Sequence, residues 1–139
     1  MYKFYVSLIA ILSTLLISSA YAESINATDN RINVMGRTQQ NDDGSVRFAY
    51  PGVSFLMNTH AKSLSMSASS NSGKAWLDII VDDGEPKVIQ IGQQAQRYEL
   101  FRFEKAGQHK VRIINRTETW QAVTTISSFE LTDGNILAA

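Results

Sequence analysis

Leu64, Met66 and Ala68 alternate with Ser63, Ser65 and Ser67. This period of two puts the apolar side chains on one face and the hydroxyls on the other, the mark of a half-buried β-strand. The pattern recurs. Val46, Phe48 and Tyr50 alternate with Ser45, Arg47 and Ala49, and Pro51-Gly52 then punctuates the chain before Val53, Phe55 and Met57 continue. Ser69 to Lys74 reads as a polar loop. Leu77, Ile79 and Val81 share a face opposite Trp76, Asp78 and Ile80. Asp82-Asp83-Gly84-Glu85-Pro86 has hairpin chemistry and leads to Val88–Ile91. Tyr98–Phe103 ends at Lys105-Ala106-Gly107, His109–Arg116 follows, and Thr125–Leu131 closes the series at Asp133-Gly134. No segment keeps helical spacing for ten residues; Gln93–Leu100 comes nearest. Turn signals about every 8–12 residues predict eight or nine antiparallel strands in a β-sandwich or barrel. Both prolines, Pro51 and Pro86, fall in predicted turns, where no ladder hydrogen bond is lost. Phe48, Phe55, Tyr98, Phe101 and Phe103 are expected in the core.

Residues 1–22 read as an export signal. Lys3 supplies the positive end, Phe4 to Ile17 is apolar apart from Ser7, Ser13 and Thr14, and Ala20-Tyr21-Ala22 is a small-x-small cleavage pattern. Phe4 to Ala22 is also just long enough to cross a bilayer, but no Lys or Arg cluster follows to stop transfer. Cleavage, with no membrane association afterwards, is the expectation. Residues 23–33 form a polar, loose lead-in and 34–137 the folded domain. The remainder, about 117 residues, buries roughly two thirds of the surface its unfolded chain exposes. Cysteine is absent, which excludes a disulfide framework, a zinc-thiolate site and a thiol nucleophile. Export without cysteine suits a bacterial periplasm or medium. Asn26-Ala-Thr28 and Asn115-Arg-Thr117 match the glycosylation pattern, which carries little weight in a bacterial protein.

The charge, 13 basic against 13 acidic residues, gives no basis for nucleic-acid binding. Gly52-Val53-Ser54-Phe55-Leu56 begins like a nucleophile elbow but ends in leucine, and neither a Gly-Asp-Ser block nor HExxH is present. His60 and His109 are the only imidazoles; either could pair with a serine in space, though a surface or local hydrogen-bonding role is the expected one. Asp42-Asp43-Gly44 and Asp82-Asp83-Gly84 lack the spacing of a calcium loop and read as turns. No catalytic residue, metal ligand or cofactor is assigned. Trp76, between Ala75 and Leu77, reads as core or sheet face. Trp120 differs, because Arg116-Thr117-Glu118-Thr119 and Gln121 around it are polar. An exposed indole suits the C–H face of a sugar ring or a partner domain. Arg37 and Glu118, with Gln39 and Gln40, are the polar groups considered beside it.

Several blocks, in this order, carry a resemblance: Gly36-Arg37-Thr38; Asp43-Gly44-Ser45-Val46-Arg47-Phe48-Ala49-Tyr50-Pro51-Gly52-Val53-Ser54; Trp76-Leu77-Asp78 with Val81-Asp82-Asp83-Gly84; Gly107-Gln108-His109-Lys110-Val111; and Arg116-Thr117-Glu118. From Val34 to Leu137 the chain resembles the N-terminal domain of carbohydrate esterase family 2, whose members deacetylate plant polysaccharides such as xylan and glucomannan. The resemblance implies a jelly-roll β-sandwich packed against a separate SGNH-type hydrolase domain. That domain carries the catalytic serine in a Gly-Asp-Ser block and a histidine near its end; neither has a counterpart here. The chain is therefore expected to be an exported accessory domain without its catalytic partner, or alternatively a stand-alone carbohydrate-binding module. As an accessory domain it should expose an apolar patch for the hydrolase.

Overall fold

The computed structural model describes residues 22–138, and the expected export signal lies outside them except for Ala22. Ten strands follow in order: β1 (Ala22–Asn26), β2 (Asn33–Met35), β3 (Thr38–Gln40), β4 (Val46–Phe48), β5 (Ser54–Ser70), β6 (Ala75–Val81), β7 (Lys87–Ile91), β8 (Gln96–Asn115), β9 (Thr124–Thr132) and β10 (Asn135–Ile136). All pairings are antiparallel, and no helix occurs among the described residues.

Two long strands build the sandwich. The first half of β5 pairs with β8 from Gly107 to Ile114, and β6 and β7 extend that layer beyond β8. Short strands β2 and β10 share its other edge, along β5. The second half of β5 pairs with β8 from Gln96 to Arg102 on one side and with β9 on the other. β1 and β4 lie end to end along the far edge of β9, and β3 pairs with β4. β5 and β8 thus cross together from one layer to the other.

The crossing is visible in the burial pattern. Phe55, Met57, Thr59, Ala61 and Ser63 point inward, but from Leu64 onward the even positions do. Ser63 and Leu64, consecutive and both buried, mark a β-bulge, and the register shifts there. A bulge bends the strand while keeping its apolar face inside. Opposite it, Phe103 to Ala106 are looped out of β8 between the Ser63–Arg102 and Ala61–Gly107 pairs. The Lys105-Ala106-Gly107 signal is therefore a corner inside one strand, not the end of a strand. Two expected pairs of strands merge for this reason.

The core lies between the layers. Phe55, Met57, Leu77, Ile79, Val111 and Ile113 meet Leu64, Met66, Ile126, Phe129 and Leu131, all at most 1% exposed. Phe48 packs on Phe55 with ring centroids 5.3 Å apart. Phe103, expected in the core, is 40% exposed, because it sits in the looped-out corner, where it stacks on His109 at 4.1 Å. The lead-in is not loose either. β1 pairs with β9 over five residues and buries Ile25, and Ala27 beyond it is also buried. Arg31 pins the next turn through Asp29 at 2.8 Å and Glu23 at 3.5 Å. The Arg31 hydrogen bond holds the Asp29 carboxyl below the usual carboxylate range. An edge strand needs only one apolar residue in two, so five residues with a single large apolar side chain carried little signal.

Candidate functional site

Trp120 is 82% exposed, far more than any other large apolar side chain described. Its loop is nevertheless held firmly. Gln121 N donates to Glu118 O at 2.9 Å, closing a turn with Trp120 at its third position. On one side the buried Thr117 hydroxyl accepts from Trp76 N at 2.6 Å and donates to Trp76 O at 3.0 Å. On the other, Val123 N donates to Asn71 Oδ1 at 2.9 Å, and Ser72 Oγ donates to Gln121 O at 2.6 Å. An apolar ring presented on a pinned turn loses little conformational freedom on contact. Glu118 sits in the same turn, exposed, and its backbone N–H donates to Gln121 Oε1 at 3.2 Å.

Arg37 is placed by a different device. Pro51-Gly52 makes a tight turn with Gly52 at φ +84°, a conformation glycine adopts without strain. Tyr50, just before it, emerges 45% exposed from the edge of the sandwich. Arg37, preceding β3, lies with its guanidinium carbon 5.1 Å from the Tyr50 ring centroid and donates from Nη1 to the phenol oxygen at 3.2 Å. Arg37, Gln39, Arg47 and Tyr50 line a concavity of about 330 Å³. A second, of about 240 Å³, lies alongside and shares Arg47 and Val123 with it; Ser69, Ser70, Asn71 and Thr125 complete its wall. Among the described residues no hydrogen bond or ion pair joins Arg37 to Glu118 or Trp120. In the sequence Arg47 and Tyr50 belong to a strand alternation and to the block that carries the family resemblance, and neither signal marks them as site residues.

The histidines stand elsewhere. His109 Nδ1 lies 2.6 Å from Asp82 Oδ2. The carboxylate only accepts, so Nδ1 carries the proton. The His109 hydrogen bond in turn keeps the Asp82 carboxyl below its ordinary range. Asp82 and Asp83 both have positive φ, 53° and 57°, and turn β6 into β7 as the hairpin chemistry predicted. Lys110 Nζ donates to Asp83 at 2.7 Å. Among the described residues, no serine hydroxyl is hydrogen-bonded to either imidazole, and no group of three or more His, Asp or Glu side chains is arranged to hold a metal ion. Asn115 is buried, and its amide donates to Tyr50 O at 2.9 Å, so its glycosylation pattern has a structural use.

The third surface of interest is the outer face of the layer containing β2, β6 and β7. Met35 is 60% exposed and Val88 48% exposed, with half-buried Leu56, Trp76, Ile80 and Ile114 between them. Arg112 lies within this face, registered between Leu56 and Ile80, and Asp78 lies between Ile114 and Val88 and pairs with Arg116 at 3.2 Å.

Fold and surfaces together define a jelly-roll β-sandwich module. The chain belongs to the carbohydrate esterase 2 N-terminal family, whose model matches residues 34–139. It is 40% identical over 116 residues to an acetylxylan esterase / glucomannan deacetylase of Cellvibrio japonicus, covering 84% of this chain and 32% of that protein. The solved structure of a family two carbohydrate esterase from Cellvibrio japonicus superposes with a TM-score of 0.84 at 39% identity, over 86% of this chain and 36% of that one. The chain thus spans about a third of the length of these relatives. At the level of fold alone, the CBM36-1 domain of a multidomain xylanase from a Trinervitermes trinervoides hindgut metagenome matches with a TM-score of 0.61 at 12% identity, over 86% of this chain and 98% of that domain.

Proposed function

We propose that this chain is the exported, non-catalytic N-terminal domain of a polysaccharide deacetylase, packing beside an SGNH-type serine hydrolase domain and helping to shape its sugar cleft. The observation that carries this reading is the apolar outer face of Met35, Leu56, Trp76, Ile80, Ile114 and Val88. Exposed Met35 and Val88, with half-buried apolar side chains on the same sheet face and Arg112 and Asp78 set among them, suit burial by a partner that also offers polar contacts. β10 pairs with β5 at the edge of the same layer, and Leu137 N donates to Asn58 O at 2.8 Å, so a domain following it in sequence starts beside that face. The hydrolase domain supplies nucleophile, base and oxyanion hole for ester cleavage. Acetylated plant polysaccharide is the substrate of the pair. Trp120, with Arg37 and Glu118, contacts either the polysaccharide or the partner.

The test is reconstitution. The Cellvibrio japonicus relative, stripped of the region matching this chain, is mixed with the chain and assayed for acetate release from acetylated xylan. A stable complex with raised activity is expected, lost in the Met35→Lys/Val88→Lys double variant. No association, or association untouched by that variant, would overturn the reading.

The likeness to a whole carbohydrate-binding domain and the exposure of Trp120 favour a second reading, a stand-alone carbohydrate-binding module. It requires polysaccharide affinity of the chain alone that disappears in Trp120→Ala; equal binding by the variant refutes that site.

A further inference from the structure

We infer that the groove between β3 and the Asn71 loop binds an acidic sugar, a residue bearing a carboxylate, rather than a neutral one. This rests on the reading of the chain as a carbohydrate-facing domain and adds the chemical class of the sugar.

The groove follows one row of outward side chains across four strands. Gln39 is registered with Arg47, Arg47 with Thr125, and Thr125 with Ser69. Three interstrand steps make the row about 14 Å long, the scale of a short oligosaccharide. Arg47 lines both concavities and is one of the two inner members of the row. Arg37 stands at one end, stacked on Tyr50, and Asn71 at the other, where it also fastens the turn that carries Trp120.

Charge decides the ligand. Arg37 and Arg47 are exposed, and neither joins an ion pair among the described residues. No carboxylate lines either concavity. The five other arginines are all paired: Arg31 with Asp29, Arg97 with Glu130, Arg102 with Glu99, Arg112 with Asp83 and Arg116 with Asp78. A neutral sugar presents hydroxyls that donate as well as accept, and sites for it usefully include carboxylate acceptors. Guanidinium only donates, in a planar fork that matches a carboxylate. Two guanidinium groups without a carboxylate partner, Arg37 holding only the Tyr50 phenol, with amide and hydroxyl groups between them suit a sugar that brings its own negative charge. The exposed Tyr50 ring offers an apolar edge for the C–H face of the sugar.

The test is calorimetry of the full chain with a glucuronate-substituted xylo-oligosaccharide and with the unsubstituted oligosaccharide of the same length. The acidic ligand is expected to bind at least roughly 10-fold more tightly, the scale of one charged hydrogen-bonded contact. The difference should shrink with added salt. Arg47→Gln and, separately, Arg37→Gln abolish the preference, whereas Arg112→Gln on the opposite face keeps it. Equal affinity for the two ligands, absence of binding, or equal loss in Arg112→Gln overturns the inference. Reconstitution with the hydrolase uses the other face, so success there with no acidic preference here rejects this inference alone. The reverse result rejects the accessory-domain reading alone.

Discussion

Thr117→Val isolates one hydroxyl. β8 ends at Asn115, and the Thr117 side chain continues the β6–β8 ladder for one further rung, taking the Trp76 N–H at 2.6 Å and donating to the Trp76 carbonyl at 3.0 Å. Thr117 is 1% exposed, so water cannot replace it. Valine keeps the shape and removes both bonds. The Trp76 carbonyl retains Arg116 N at 3.2 Å, whereas the Trp76 N–H is left without its partner. An unsatisfied buried donor costs about 1–3 kcal/mol, so a loss of about 2 kcal/mol is expected. In urea this lowers the midpoint by about 1 M without changing the slope. Thr117→Ser keeps the hydroxyl and loses a methyl group, costing about 1 kcal/mol or less. Exchange of the Gln121 amide, which closes the Trp120 turn, should quicken in the valine variant and not in the serine one. If valine and serine have the same midpoint, the hydroxyl does not hold this loop and the reasoning fails.

Three further outcomes follow from particular contacts. A Cβ on Gly134 would lie 1.8 Å from His60 O and 2.5 Å from Ala61 Cα, so Gly134→Ala should detach β10 and cost about 3 kcal/mol by thermal unfolding. Gly52 has open space around it but φ +84°, so Gly52→Ala should cost less, about 1 kcal/mol; the opposite order would contradict the close approach at Gly134. Asp29 has its pKa lowered by Arg31, so its stabilisation is present above the unfolded value of about 3.9 and is lost as pH falls through the folded one. Asp29→Asn should therefore be less stable than wild type at neutral pH by about 1 kcal/mol and converge with it in acid, and a constant gap from pH 7 to pH 2 would show the effect to be steric. Phe129→Ala, at a fully buried position, should cost about 3–5 kcal/mol by urea unfolding; less than 1 kcal/mol would mean the layers do not meet there.

The strands with one buried face were legible because period-two alternation is a direct imprint of burial, as in Leu64, Met66 and Ala68 or Leu77 and Ile79. The corner was not. Ser63-Leu64 contains neither glycine nor proline, and a bulge registers only as a change of parity that is invisible until the partner strand is known. Short edge strands β2 and β3 are three residues each, too short to show a period, and β3 is wholly polar, so ladder bonds rather than a side-chain pattern define them. The exposure of Trp120 could be read from its polar neighbours. The grouping of Arg47 with Gln39, Thr125 and Ser69 could not, because it depends on the register of four strands, one of them, β9, far along the chain from the others.

β9 has a consequence for how the molecule comes into being. β1, β4 and the second half of β5 all meet along it, and Ala22 pairs with Thr132. Nearly the whole polypeptide must therefore be synthesised before the second layer has its central strand. Assembly dominated by such distant pairings takes milliseconds to seconds once the chain is complete. Until then Ile25, Val46, Leu64 and Met66 have no cover, and factors that hold the nascent chain, rather than early local structure, have to keep it from aggregating.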